Sequence, residues 1–260
     1  WAFHALHDDG RCLGMSRSEL QRLYRDAALI VNLHGGTIPT DEQAAGGRLV
    51  YVETDPVEVQ IQLAQRNQQT VDYLEPHAAF FTFAENYGNP DCLLPVSKQF
   101  DFVPTCQPVV LDFWTDRADP GEAFRTVGSW KQAWRDVVFR DEVYRWSKHH
   151  EFDRFLRLPE LSGARFELAM AGVEDQDQAK LREHGWGLAD AAEVSHDLEP
   201  YRQFVASSRG EFTVAKDQNV RMRTGWFSDR SATFLAAGRP VVTQETGFSN
   251  LVPGARACSA

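Results

Sequence analysis

The chain has 260 residues, enough to bury a substantial core in one or two domains. Its formal net charge of -10 excludes a broadly basic surface, so we expect no nucleic-acid partner. No apolar run approaches the roughly 20 residues of a transmembrane segment, and the start lacks the regions of a signal peptide, which predicts a cytoplasmic protein.

The first half of the chain alternates helix and strand patterns. A capping box that begins at Ser16 predicts a helix ending near Ala27. Pro56 predicts the first turn of a second helix. Residues 89–108, rich in Pro, Asp and Thr, predict a long irregular connection. Three short apolar runs predict buried strands of a parallel sheet, at 28–33, 48–53 and 79–83.

A cluster of Asp, Pro and Gly at 116–122 predicts a boundary between a domain at 1–118 and a domain at 119–260. In the second domain short apolar runs predict strands at 123–127, 166–170, 187–189, 209–216 and 240–243. Helical patterns lie between them, at 145–158, 175–184, 198–205 and 228–237. This alternation predicts an α/β fold with parallel sheets, in which ligands bind beyond the carboxyl ends of the strands.

The segment from Thr224 to Arg230 predicts a glycine turn that opens a helix. A glycine before a helix start allows close approach of the backbone, and the helix dipole favours an anion, so we expect a phosphate ligand there. The expected donors are the free N–H groups of Gly225 to Ser228. The side chains of Ser228, Arg230 and Lys216 add further donors, and Asp229 could accept from ribose hydroxyls. For Arg230, Lys216 and Asp229, surface ion pairing or helix-dipole stabilisation stays the alternative.

Two neighbouring stretches carry a family resemblance. Leu235-Ala236-Ala237-Gly238-Arg239-Pro240-Val241-Val242, followed by Glu245-Thr246-Gly247, resembles the donor-binding element of GT-B-fold glycosyltransferases of the group 1 type. The segments 51–56, 81–86, 127–130 and 144–152 resemble a bacterial branch of these enzymes whose acceptor is not known. The likeness covers residues from about Ala27 to about Val252.

The resemblance implies two Rossmann-like parallel-sheet domains. In this chain the N-terminal, acceptor-side domain is expected to be incomplete, and the C-terminal, nucleotide-sugar-binding domain to lack its closing helices. It implies a metal-independent hexosyltransferase that needs no cofactor and moves a sugar from a nucleotide-diphosphate donor to an unidentified acceptor. Retaining members carry two glutamates eight positions apart, and the matching positions here are Gly225 and Thr233. Donor geometry and stereochemical outcome therefore stay open.

The loops after predicted strands hold the remaining candidates. On the donor side, Trp130 could stack on a nucleotide base or be a core aromatic residue, and Gly247 lies in the donor-binding element. Lys148 is a candidate catalytic residue that could pair with a phosphate, or could extend its amine to solvent. As groups facing the acceptor, His34 and Glu85 could take a proton, or could simply bond to nearby backbone.

Two other functions fit the same residues. The first is a non-hydrolysing nucleotide-sugar epimerase on the same fold, which sugar-transfer assays would separate from a transferase. The second is a binding or scaffold protein that kept the fold without the chemistry, as the absent glutamate pair allows. The pair Asp175 and Asp177 has the spacing of a metal motif, but its place at a predicted helix start indicates a cap, so no metal site is expected.

Overall fold

The computed structural model describes residues 1–4, 10–115, 119–132 and 135–252. Their contacts group into two units. The first comprises Trp1–Phe83 and Val96–Thr105, and the second comprises Ala84–Pro95 and Cys106–Ala260. The sequence placed the division at residue 118, because its Asp, Pro and Gly residues signal a loop. A loop signal does not show with which unit the preceding segment packs, and the stretches 84–95 and 106–115 group with the second unit.

The first unit contains a four-stranded parallel sheet in the order β3-β4-β5-β6. Strands β3 and β4 pair Ile30 with Leu49. The capping box at Ser16 forms as predicted at the start of α1. Its elements are β1 (Ala2–His4), β2 (Cys12–Gly14), α1 (Arg17–Asp26), β3 (Ile30–Leu33), α2 (Asp41–Ala44), β4 (Leu49–Glu53), α3 (Pro56–Ala64), α4 (Gln68–Leu74), β5 (Ala79–Thr82) and β6 (Phe102–Pro104).

A buried carboxyl group ends the central strand β4 of this sheet. Glu53 is 1% exposed and accepts hydrogen bonds from Thr82 Oγ1 at 2.6 Å and from Gln60 Nε2 at 3.1 Å. Burial outweighs these hydrogen bonds and raises the pKa of Glu53 to about 8. The carboxyl end of the first sheet therefore holds an acid whose polar contacts come from the same unit.

The second unit is built on a five-stranded parallel sheet in the order β11-β10-β7-β12-β13. Numbered along the chain, its strands lie side by side as third, second, first, fourth and fifth, which is the order of a doubly wound Rossmann-type sheet. Its strands are β7 (Ala123–Ser129), β10 (Arg165–Ala171), β11 (Gly187–Leu188), β12 (Gly210–Phe212) and β13 (Val241–Val242), with a separate hairpin of β8 (Val137–Phe139) and β9 (Glu142–Tyr144).

Helices connect these strands, as parallel pairing requires. The core is largely aromatic and includes Trp130, Phe152, Phe166, Trp186 and Phe212. The helices are α5 (His149–Asp153), α6 (Leu158–Ser162), α7 (Asp175–Glu183), α8 (Ala191–Ser195), α9 (Leu198–Ala206), α10 (Asp217–Met222) and α11 (Asp229–Ala236), with 3-10 turns at Leu111–Trp114 and Phe248–Asn250.

The helix predicted at 145–158 is confirmed only over α5, His149–Asp153, and its predicted start and length are wrong. The backbone N–H of Trp146 donates to Asp136 Oδ1 at 2.8 Å, and Ser147 exchanges hydrogen bonds with the backbone of Gln132. These contacts hold the segment before Lys148 in a non-helical path after the hairpin. Pro159 lies in the first turn of α6, where a proline costs no hydrogen bond, and does not end a long helix.

Several short elements were absent from the prediction, among them α4, α8 and the β8–β9 hairpin. Strand β6 lies inside the stretch predicted as irregular, and α10 lies inside the polar segment after β12. Both are too short for periodicity to separate them from loops. In the described part of the chain, no helix has the length and apolar character needed to cross a membrane.

Candidate functional site

The sheet order defines one special position at the carboxyl ends of the second unit's strands. The chain leaves β7 toward β10 on one side, whereas β12 pairs with β7 on the other side. In doubly wound sheets the two directions of connection open a crevice at this switch point, where ligands bind. The site is therefore expected beyond Ser129 and Phe212, the last residues of the two strands.

Lys216 follows β12 at this position. The stretch after the strand stays extended, since Thr213 N–H donates to the Val242 carbonyl and Ala215 N–H donates to Gln244 Oε1. The Lys216 side chain is 8% exposed, and its ammonium lies 3.0 Å from the centroid of the Trp146 ring. An indole face attracts a cation, so Trp146 fixes this charge beside the strand end.

Lys148 is the residue that precedes α5. Its amino nitrogen lies 5.9 Å from the centroid of the Trp226 ring. Burial, together with the positive charges of Arg230 and Lys216, lowers the pKa of Lys148 well below its ordinary value. Glu211 and Asp229 act in the opposite direction but less strongly. The strand ends thus gather two amines whose charges repel, an arrangement that an anionic ligand would relieve.

Arg230 points into the sheet and not outward. Its guanidinium donates to Glu211 Oε1 at 2.5 Å, to the Val127 carbonyl at 2.7 Å and to Thr213 Oγ1 at 2.8 Å. Burial opposes the charge, but the Glu211 carboxylate outweighs it and raises the pKa of Arg230. Because its donors join β7 to β12, Arg230 holds the switch point together. The prediction that it also contacts a diphosphate is not supported by this geometry.

Several buried polar atoms near the start of α10 and α11 have no hydrogen-bond partner among the described residues. Both amide atoms of Gln218 and the hydroxyl of Ser231 are in this state, and each residue is 1% exposed. One carboxylate oxygen of Glu211 is also unpaired. Buried polar groups in native proteins are nearly always bonded, so groups without a protein partner indicate water or ligand.

Ser228 and Asp229 lie where the sequence placed them, at the start of α11. The Ser228 hydroxyl donates to Asp229 Oδ1 at 3.3 Å, and the same oxygen accepts from the Arg230 N–H at 2.9 Å. Asp229 therefore stabilises its own helix end. Its side chain is exposed, and the expected contact with ribose hydroxyls stays a prediction.

The glycine turn requires a correction. Two of the four amides expected to be free are bonded inside the second unit: Gly225 N–H donates to the Thr246 carbonyl at 2.7 Å, and Trp226 N–H donates to Thr224 Oγ1 at 3.1 Å. For the Phe227 and Ser228 amides the expectation stays a prediction. Gly225 has φ +80, and a Cβ added there would lie 2.7 Å from the Asn86 Cβ. The glycine is needed for close packing against Asn86, not for an approaching ligand.

Gly247 takes part in the same packing. Its φ is +97, and a Cβ there would lie 2.7 Å from Asn86 Nδ2. Asn86 donates to the Arg223 carbonyl at 2.8 Å and accepts from Asn250 Nδ2 at 2.8 Å. Asp91 bonds both Asn86 and Arg223, and the Arg223 hydrogen bonds hold the pKa of Asp91 down to about 2. We call this group, Asn86, Asp91, Arg223, Gly225 and Gly247, the Asn86 cluster.

Trp130 is a core residue. It is 2% exposed, packs 5.3 Å from the Phe152 ring and donates from Nε1 to Asp177 Oδ2 at 2.9 Å. This burial favours the core-aromatic alternative over stacking on a nucleotide base. Asp177, in the first turn of α7, also pairs with Lys131 at 2.9 Å, so this aspartate joins α7 to the residues that follow β7.

The two residues considered as proton acceptors lie in different units. His34, in the first unit, has φ +60, contacts Thr54 through Nδ1 and lies 3.8 Å from Asp55 Oδ2. Glu85, in the second unit, is 8% exposed, and burial raises its pKa. Each follows the strand that the sequence predicted, and their catalytic roles stay predictions.

Three residues of the site were not among the sequence candidates. The amino nitrogens of Lys216 and Lys148 lie over the rings of Trp146 and Trp226, and Glu211 neutralises Arg230. The glutamate had a usable signal: a charged residue inside a three-residue buried strand requires a partner. The tryptophans had none, because the chain contains seven and most are core residues.

Cavity size alone would indicate a different place. A cleft of about 700 Å³ lies at the amino ends of β7, β10 and β11. Its basic side chains are already paired, Arg125 with Glu167, Arg165 with Glu122 and His184 with Glu160. A second crevice of about 450 Å³ opens at the carboxyl ends of β10 and β11, lined by Gly172, Gln178 and Asp190 among others. We place the site by charge and sheet order, which favour the carboxyl edge.

No protein-family model, curated protein or solved structure matches this chain.

Proposed function

We propose that the second unit binds a nucleoside diphosphate sugar at the carboxyl edge of its sheet, and that the protein transfers the sugar to an acceptor. One observation carries the proposal. Lys148 and Lys216 converge at the switch point between β7 and β12, where doubly wound sheets bind phosphate-bearing ligands.

The charged groups around the switch point would have different roles in sugar transfer. A departing nucleoside diphosphate gains negative charge, which nearby fixed cations stabilise. Lys216, held on Trp146, supplies a charge in a set place, and Lys148 would gain a proton and a counter-ion as the phosphate arrives. Arg230 acts as a positioning residue, because the three hydrogen bonds of its guanidinium join β7 to β12 and the residue after it.

Calorimetric titration with UDP, GDP and dTDP tests the binding step. We expect saturable binding of at least one, weakened about tenfold or more in Lys216→Ala, since a hydrogen bond to a charged group contributes about 1.5–3 kcal/mol. Lys131→Ala is the matched control, because Lys131 is bound to Glu174 and Asp177 and should not affect affinity. A folded sample that binds none of the three nucleotides would contradict the proposal.

Transfer is tested by incubating the protein with the nucleotide sugar that binds and measuring release of free nucleotide with and without bacterial glycan or lipid acceptors. The turn at Gly225 gives a specific reason to consider binding without transfer. The Gly225 and Trp226 amides are bonded to Thr246 and Thr224, which leaves fewer donors in this turn than the sequence predicted. Nucleotide binding with no sugar release over the whole acceptor set would favour that second function.

A further inference from the structure

The chain has five lysines, and they differ in what holds them. Lys131 lies 2.9 Å from both Glu174 and Asp177, and Lys180 lies 2.6 Å from Asp153. Lys98 is exposed. Within the described ranges, Lys148 has no carboxylate oxygen within ion-pair distance, and its amine faces the Trp226 ring.

The charged groups around Lys148 do not compensate the positive charge of its ammonium. Lys216 and Arg230 add like charges, from the loop after β12 and from α11. Glu211, on β12, is committed to Arg230 at 2.5 Å, and Asp229 accepts from its own helix end. Burial and the two cations lower the pKa of Lys148 well below that of an ordinary lysine. A larger fraction of this amine is therefore uncharged near neutral pH, and an uncharged amine is a nucleophile.

We propose that Lys148 is a nucleophilic amine that forms an imine with an aldehyde or ketone bearing an anionic group. The anionic class follows from Lys216, whose ammonium is fixed nearby on Trp146 and would pair with a phosphate or carboxylate of the same molecule. The inference uses the edge where the proposed function places a diphosphate, but it requires no sugar transfer.

The step balances without any further reactant. The Lys148 nitrogen pair attacks the carbonyl carbon, the C–N bond forms, and a proton passes from nitrogen to oxygen to give a carbinolamine. Loss of the hydroxyl as water then gives the imine, and water reverses the reaction. Borohydride, added as the reductant, donates a hydride to the imine carbon and fixes the adduct as a secondary amine.

Pyridoxal 5′-phosphate is the probe, since it carries an aldehyde and a phosphate. The intact protein is incubated with it at pH 7, reduced with borohydride, digested and analysed by mass spectrometry. We expect Lys148 to be modified at least about tenfold faster than the exposed Lys98, because each unit of lowered pKa gives roughly tenfold more free amine. Lys131 and Lys180 should be modified slowest. In Lys148→Met the corresponding adduct should be absent.

Modification of Lys148 at or below the rate of Lys98 would overturn the inference. Inorganic pyrophosphate separates it from the proposed function. Protection of Lys148 by pyrophosphate supports both proposals, and fast modification without protection supports the imine but contradicts diphosphate binding at this edge. Slow modification in a protein that binds nucleotides by calorimetry refutes the imine alone.

Discussion

The Asn86 cluster and the pair Lys148–Lys216 both belong to the second unit, and they differ in whether their polar groups are matched by groups of opposite character. In the cluster, Gly225 and Trp226 amides, the Asn86 side chain and Asp91 all find partners inside the unit. At the lysine pair, like charges face each other, and Lys148 has no acidic partner among the described residues.

This difference separates a structural role from a ligand-binding role. A protein that keeps a charge at a cost in stability usually gains function from it. Changes in the Asn86 cluster and at Arg230 should therefore affect stability, whereas changes at the lysine pair should affect ligand binding. Six of the seven tryptophans lie in the second unit, so tryptophan fluorescence during denaturation reports mainly on that unit.

Arg230→Met should give the largest loss of stability. It leaves Glu211, which is fully buried, without its partner, and breaking a buried pair costs about 3–5 kcal/mol. Urea unfolding followed by tryptophan fluorescence measures the loss. Arg157→Met is the control, since Arg157 forms an exposed pair with Glu160 and should barely move the midpoint. Equal effects of both changes would contradict the structural role of Arg230.

Gly225→Ala should cost more than about 2 kcal/mol, because a positive φ is unfavourable for alanine and its methyl group would collide with Asn86. Gly163 offers a matched control, with φ +64 and nothing within 4 Å of an added Cβ, so Gly163→Ala should cost only about 1 kcal/mol. The same urea experiment compares them. If Gly225→Ala were as stable as Gly163→Ala, the packing against Asn86 would be refuted.

Glu53 in the first unit predicts a pH dependence. Its folded pKa of about 8 lies above the ordinary 4.5, so the protonated acid stabilises the fold at low pH. That contribution is lost as pH rises through this window, by up to about 1.4 kcal/mol per pH unit. Hydrogen exchange of the β4 amides, corrected for intrinsic rates, should show it. Glu53→Gln should remove the dependence, while the exposed Glu75→Gln should keep it.

Lys148→Met should give the smallest change in stability. Since the folded state disfavours the ammonium, replacing it with an apolar side chain should leave the urea midpoint unchanged or raise it. Nucleoside diphosphate affinity should nevertheless fall about tenfold or more. A large loss of stability in this variant would show that Lys148 is structural, and unaltered affinity would remove it from the site.

Much of the fold could be predicted from the sequence because local patterns determined it. Apolar runs gave β3, β4, β5, β7 and β10, and the Ser16 capping box gave α1. The helix predicted at 145–158 begins later than predicted for a non-local reason. Asp136 and Gln132 bond the backbone near Trp146, and no pattern inside the segment carries that information.

The site was predictable only in part. In the sequence Lys216 directly follows a predicted strand and Lys148 lies near the apolar face of a predicted helix, which makes both candidates. The structure brings them close enough to interact electrostatically. The role of Gly225 could not be predicted, since Asn86 lies 139 positions earlier in the chain and its packing is a tertiary contact. The sequence predicts that Arg230 meets a diphosphate or a surface ion pair, because its buried partner, Glu211, lies 19 positions earlier inside a predicted strand.

A crystal structure of the protein with a bound nucleoside diphosphate would show whether the carboxyl edge of the second unit's sheet binds phosphate. We expect phosphate oxygens within hydrogen-bond distance of the Lys148 or Lys216 amino nitrogen, with Arg230 still bound to Glu211. Phosphates bonded to the Gly225 turn after displacement of Asn86, or seated in the cleft at the amino ends of β7 and β10, would contradict this expectation.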